Sequence, residues 1–275
     1  MSDPAVAIYD IMACNVYMDF ENTGLQKEQH KFLIAFYPTG GAPLPELVES
    51  VTAYGPNGYR VDFINQPFTA LNRNGHIFDR TTNAHWYMVN LDTGFMEPGE
   101  YTIEVKCHNG ETRSMSRVQQ AGPTDALVRA YAANRHAIHD SYSPGDGEQL
   151  PDDAPLKDIQ VNWTPLKELC GKDAYYIFRI SEGRSSREFD TQNLAWWDNI
   201  FLQRMSGHQR AGLNKGGVVI SNQLKPDTAY VHFTEITDSN AMGETNICIF
   251  QPHQTFVTAA RATAATPADT TTEHR

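Results

Sequence analysis

The sequence has no surplus of basic residues, no long apolar run and no complete catalytic or cofactor motif, and each lack removes a class of function. Lys and Arg number 22 against 33 Asp and Glu, a net charge of −11, which argues against nucleic acid and anionic membrane surfaces as partners. No apolar stretch approaches the roughly 20 residues of a membrane-spanning helix. The N-terminus lacks the basic region and apolar run of a secretory signal, so the expected location is the cytoplasm, or a particle assembled there. There is no phosphate loop, dinucleotide glycine motif, His-Glu-x-x-His or Gly-x-Ser-x-Gly elbow, and no cofactor is expected. Cysteine is scarce: there are four, none in a Cys-x-x-Cys spacing. Cys14 with Cys107 and Cys170 with Cys248 could pair on paper, but buried free thiols are the expectation without a secretory signal.

What is present is strand pattern. At 275 residues and 40% hydrophobic, the chain can bury two ordinary cores. In the first half, Tyr101, Ile103, Val105 and Cys107 alternate with Thr102, Glu104 and Lys106, the period of a half-buried strand. Asn109-Gly110 then turns the chain back through Thr112 to Val118, a strong hairpin signal. A second Asn-Gly, at 57–58, joins Val51–Tyr54 to Tyr59–Phe63, and further strands are expected at Val6–Phe20, Lys31–Tyr37 and His85–Leu91. The Asn-rich stretch Asn72–Asp79 reads as a loop. His76 in that loop, with His85, Trp86 and Tyr87, could line an aromatic surface or simply lie at strand edges.

In the second half the heptad Leu224-Lys-Pro-Asp-Thr-Ala-Tyr230 precedes a strand-like run, and Ile159, Val161 and Trp163 share one face at period two. This resembles the L-x-P-x-T-x-Y corner and core Trp of fibronectin type III domains, whose corner Tyr bonds back to the backbone at the sheet-to-sheet crossing. The resemblance covers about 100 residues, the size of one such sandwich, and implies strands at Ile159–Trp163, Ala174–Ser181, Tyr230–Thr237 and Glu244–Phe250. The closing strands of the first half are only loosely similar to immunoglobulin-like domains. The expected fold is all-β: an immunoglobulin-like sandwich (1–122), a helix and loop connector (123–155) and a fibronectin type III-like sandwich (156–257), followed by a tail (258–275) without a core-forming pattern. Gly122-Pro123 marks the boundary, and Thr124 can cap a helix from Asp125 to about His139.

Two departures from the family pattern carry information. Counting by twos from Tyr230 puts His232, Thr234 and Ile236 inward, so two positions that are usually aliphatic are polar. Val231 and Phe233 lie on the opposite face, and Ile247, Cys248, Ile249 and Phe250 leave the last strand apolar on both. Something must therefore cover the outer face. The second departure is an insertion at 182–217. Asp190 or Thr191 could cap a helix over Gln192–Met205 with Leu194, Trp197, Phe201 and Met205 on one stripe, followed by a basic, Gly-rich loop from Ser206 to Gly217 that holds His208, Arg210 and Lys215.

These features define the candidate residues. Trp196, Trp197, Asp198 and Arg204 could form a recognition surface, since aromatic and Arg side chains anchor such surfaces; the helix could equally cap the open sheet with Trp197 as core. His232 could act as acid or base with Glu235 or Asp198 in a small-molecule pocket, or be a satisfied core histidine. His136, His139 and Asp140, at i, i+3 and i+4 of a helix, are a weak metal candidate, against which stands the ordinary preference of helix ends for His. Three functions remain open. The favoured one is a noncatalytic binding or assembly protein using its sandwich surfaces for protein contacts, as a homo-oligomer or in a larger assembly. The alternatives are a cofactor-independent enzyme doing lyase, isomerase or cyclase-type chemistry on a small hydrophobic substrate, and a lectin-like glycan binder.

Overall fold

The computed structural model describes residues 6–20, 24–37, 39, 41–69, 72–79, 84–191, 193–198 and 212–260. Strands dominate, and the chain is all-β as expected. The first half supplies β1 (Ile8–Met18), β2 (Glu28–Phe36), a single helical turn α1 (Leu44–Leu47), β3 (Val48–Tyr54), β4 (Arg60–Asp62), β5 (Asn74–Asp79), β6 (Ala84–Leu91), β7 (Gly99–Cys107) and β8 (Thr112–Gln119). β1, β2, β6 and β5 are neighbours in one sheet and β4, β3, β7 and β8 in another. The alternation of β7 buries Tyr101, Ile103, Val105 and Cys107 against Phe32, Ile34, Phe36 and Tyr87 of the facing sheet. The Asn57-Gly58 turn forms as anticipated, with φ of 56° and 76°, left-handed values that Asn and Gly adopt most readily.

The stretch Asn72–Asp79 is corrected from loop to edge strand. Asn72 does serve a turn, its Oδ1 accepting from the N–H groups of Thr69 and Asn74. From Asn74 onward, however, the chain pairs with β6, Phe78 opposite His85. The apolar and aromatic content of residues 76–78 outweighs the turn formers before it.

α2 (Ala121–His139) follows. It begins earlier than the sequence suggests: Gln120 is the cap position, so Gly122-Pro123 lies in the first turn, where proline's missing N–H is no loss. Thr124 caps nothing; its hydroxyl is buried and accepts from Asn15 Nδ2 at 3.1 Å. One face of α2 packs Leu127, Tyr131 and Ile138 into the second core. Among the described residues no helix is long and apolar enough to cross a membrane.

The second half contains β9 (Glu148–Gln149), β10 (Ile159–Asn162), α3 (Leu166–Cys170), β11 (Tyr175–Glu182), β12 (Leu194–Trp197), β13 (Gly217–Ile220), β14 (Ala229–Thr237), β15 (Ile247–Phe250) and β16 (Gln254–Val257). β10 and β13 form one small sheet. The other runs β12, β11, β14, with β15 pairing the end of β14 and β16 its beginning. The expected helix over 192–205 is contradicted in its first turn, since Leu194–Trp197 is a strand on the edge of β11; residues 199–211, with Phe201, Arg204 and Met205, lie outside the described residues. The three-residue spacing of Leu194 and Trp197 fits a helix, but the open edge of β11 supplies the hydrogen bonds of a ladder, and adjacent Trp residues bury well on opposite faces of a strand. The tail is also corrected at its start: Thr258 and Ala259 are buried, and the Thr258 hydroxyl receives the Thr228 N–H at 3.0 Å and donates to the Lys225 carbonyl at 2.6 Å.

β15 pairs in parallel with β1, Asn15 opposite Ile247. That one pairing joins the two halves into a ten-stranded sheet, ordered β12-β11-β14-β15-β1-β2-β6-β5 with β16 and β9 alongside. A buried polar knot holds the seam. Asn15 Oδ1 accepts the Met96 N–H, Gln119 Nε2 donates to the Asn246 carbonyl, and Asn246 itself accepts the Gln120 N–H and donates to Asp238.

Candidate functional site

The second corner forms as its sequence implies: the Lys225 N–H donates to the Tyr230 hydroxyl at 2.9 Å. A matching corner exists in the first half, where the Tyr101 hydroxyl donates to the Glu97 carbonyl at 2.9 Å. Sequence reading missed it, although Met96-x-Pro98-x-x-Tyr101 parallels Leu224-x-Pro226-x-x-x-Tyr230 with one residue fewer.

The corner fixes the register of β14, and the two faces of this strand carry different chemistry. His232, Thr234 and Ile236 point into the second core, as counting from Tyr230 predicts. The His232 ring is fully buried, 5.0 Å from Phe178 and 5.8 Å from Tyr142, with no hydrogen-bond partner on either nitrogen among the described residues. Burial, and then the proximity of His253, pushes its pKa down to about 3. Thr234 accepts from the Tyr142 hydroxyl at 2.7 Å, and Gln251 Nε2 reaches that hydroxyl at 3.4 Å. The imidazole is a neutral core group.

Glu235 points the other way. Its Oε2 receives Arg179 Nη1 at 2.6 Å and its Oε1 lies 3.6 Å from Lys31 Nζ. Burial works to raise its pKa, but Lys31 and then Arg179 outweigh it and hold the carboxyl down to about 2. Burial likewise works against the charge on Lys31, and the adjacent Glu235 carboxylate more than offsets it, raising the lysine's pKa. The Cys14 and Cys248 sulfurs touch at 3.4 Å, and all four cysteines are free; Cys170 is exposed, contrary to the expectation of burial, while the other three are buried. Lys31, Cys14, Cys248, Glu235 and Arg179 thus form a row across β2, β1, β15, β14 and β11.

At its end Arg179 lies 5.4 Å over the Trp197 ring. Trp196 faces the opposite side, 6.1 Å from Phe178, its indole N–H donating to Ser221 Oγ at 3.1 Å. Both Trp side chains are half-buried. Asp198 is buried and ion-paired with Lys215, and its N–H donates to the Phe178 carbonyl at 3.0 Å.

The outer face of β14 is covered from within the described chain. Phe20 and Phe189 pack on Phe233 at 5.5 and 5.1 Å, and His253 joins them at 5.1 Å. Phe189 comes from the insertion.

The structure therefore separates the residues proposed for acid–base work. His232 and Glu235 occupy opposite faces of one strand, and Asp198 is bound to Lys215. The helical trio is not gathered either. His136 and Asp140 are exposed, while His139 Nε2 is 3.1 Å from the Tyr131 hydroxyl, which donates to Asp19 at 2.7 Å. Among the described residues no three His, Cys, Asp or Glu side chains assemble as metal ligands.

Lys31 and Arg179 escaped the sequence reading. A charge midway along an otherwise apolar strand, as in Tyr-Tyr-Ile-Phe-Arg179-Ile, signals an opposite charge on a neighbour. Glu235 in His-Phe-Thr-Glu235-Ile is that neighbour.

No family model matches the chain, and no curated protein matches it. Solved structures that overlay on it include Tp47, the 47-kilodalton lipoprotein of Treponema pallidum, at 9% identity and TM-score 0.34 over 94% of this chain and 52% of that one. The chain thus spans about half the length of that lipoprotein. Others are the tandem Ig repeats of Dlar, at 8% identity and TM-score 0.32 over 92% and 98% of the two chains, and fibronectin(III)-like modules of Clostridium thermocellum CbhA, at 7% and 0.23 over 90% and 94%. These overlays are loose. The immunoglobulin- and fibronectin type III-like character rests on the strand order of the sheets and the two tyrosine corners.

Proposed function

We propose that this is a noncatalytic binding or assembly protein whose protein-contact surface includes the β12 edge. The observation that carries the reading is the Trp196-Trp197 pair: two half-buried indoles on an edge strand, one braced on Phe178 and one under the Arg179 guanidinium. Trp and Arg together are the residues that most often anchor protein interfaces. The edge itself is partly closed to strand addition, because Asn222 Nδ2 donates to the outward Ala195 carbonyl at 2.6 Å, so contact would come through side chains. The separation of His232 from Glu235 weighs against the acid–base enzyme.

The test is the native mass by light scattering, for the wild-type chain and for Trp196→Ala and Trp197→Ala, with urea melts to confirm folding. The reading expects a discrete oligomer that at least Trp197→Ala weakens. A monomer at every concentration, with both variants folded and unchanged, would overturn the homo-oligomeric form of the proposal.

A further inference from the structure

We infer that the interrupted last strand of the second sandwich is an acid-sensitive joint. Its hinge is the stretch between β15 and β16. Glu235 opposes Phe250 and His232 opposes Gln254, so Phe233 and Thr234 on β14 face three residues, Gln251, Pro252 and His253. This is a bulge. Pro252 has no N–H to give the ladder, and the Gln251 N–H reaches the Thr234 carbonyl only at 3.4 Å.

A histidine flanks the bulge on each face. His232 is enclosed by Phe178, Tyr142 and Phe256 at 5.0, 5.8 and 5.9 Å. His253 is enclosed by Phe20, Phe189 and Phe233 at 4.4, 5.0 and 5.1 Å. Neither ring has a hydrogen-bond partner among the described residues. The polar groups around His232 are the Tyr142 hydroxyl, already bonded to Thr234, the amides of Gln251 and Gln254 and, across the strand, the His253 ring, whose proton would further disfavour one on His232; none carries a negative charge. On the face of His253 the charged groups Glu235, Arg179 and Lys31 are bound to one another.

A proton on either ring is therefore a cation without an anion, enclosed by aromatic carbon. Burial pushes His232 to about 3 and His253 to about 4, whereas an imidazole released to water titrates near about 6.5. Above that value both rings are neutral whether the joint is shut or open, and acid has no leverage. As pH falls below it, the open form takes up protons that the shut form refuses, so closure weakens progressively toward pH 4 and then 3. Swinging the rings to water detaches β15 and β16 from β14, and β15 is also the strand that pairs with β1. The opening reaches the seam between the halves.

The test is amide hydrogen exchange on the full chain at pH 7 and pH 4.5, expressed as protection factors so that the intrinsic pH dependence cancels. Protection over 229–237 and 247–257 should fall by roughly tenfold per pH unit per histidine below 6.5, while β3 and β7 hold. His253→Phe, at a half-buried position, should remove part of that fall, and the His253→Phe/His232→Leu double variant nearly all of it. A loss spread evenly over both halves, or one undiminished in His253→Phe, would overturn the proposal.

Discussion

The two sandwiches share a strand order and a tyrosine corner, and they fill their interiors differently. In the first, a large apolar cluster fills the space between the sheets, and the buried histidine beside it is fully served: His30 Nδ1 meets the Gly94 carbonyl at 2.7 Å and Nε2 the Tyr59 hydroxyl. In the second, His232, Thr234, Gln251 and Gln254 are buried beside Tyr142, and ring nitrogens and amide oxygens there lack partners among the described residues. Architecture is indifferent to this choice, because the ladder and the corner are built from backbone and one hydroxyl. The polar interior sits where the last strand breaks and where the halves fuse, so local chemistry follows the joint and not the fold.

The sharpest way to break the comparison is Glu235→Gln, which leaves Lys31 and Arg179 facing each other with no anion between them. Removing one member of a buried ion pair costs about 3–5 kcal/mol, and urea unfolding should show a loss of that order. The partners come from both halves, Lys31 from β2 and Arg179 from β11, so the loss should be felt on both sides of the seam.

A smaller loss is expected at the seam. Asn246→Ala removes an acceptor for the Gln120 N–H and a donor to Asp238, each orphaned group costing about 1–3 kcal/mol. Hydrogen exchange should place that loss at β15 and the start of α2.

The two corners should respond alike. Tyr230→Phe and Tyr101→Phe each remove one hydroxyl bond, worth about 1 kcal/mol, and equal shifts in urea midpoint would confirm that the corners are equivalent devices. A larger effect at Tyr101 would mean that the first sandwich depends on its corner more.

The smallest effect belongs to Arg60→Ala, which breaks the exposed Arg60–Asp62 pair at 2.9 Å. Fully exposed pairs of this kind are screened by water and contribute little, and the melting curve should barely move.

Much of this was legible because it is local. The corner heptad fixed the facing of His232 and Thr234 by simple alternation, and Asn109-Gly110 gave the β7–β8 hairpin. β12 was misread because Leu194 and Trp197 satisfy helical spacing, and only the unpaired edge of β11, invisible in a local window, decides for strand. The row from Lys31 to Arg179 was hidden for a related reason. It exists only because β1 and β15 pair, and no periodicity links residues such as Cys14 and Cys248, 234 positions apart. Tyr101 was available but masked by a corner one residue shorter than the familiar one.

That same pairing sets an order of events as the chain emerges from the ribosome. β1 finds β2 soon after it is made, but its other edge waits for β15, which lies far along the chain. Until then the nascent first sandwich displays an unpaired strand, a template for association with other chains. Contacts of such long sequence separation also slow folding. The first sandwich is therefore the part most exposed to wrong partners, until a strand made long after it closes the open edge.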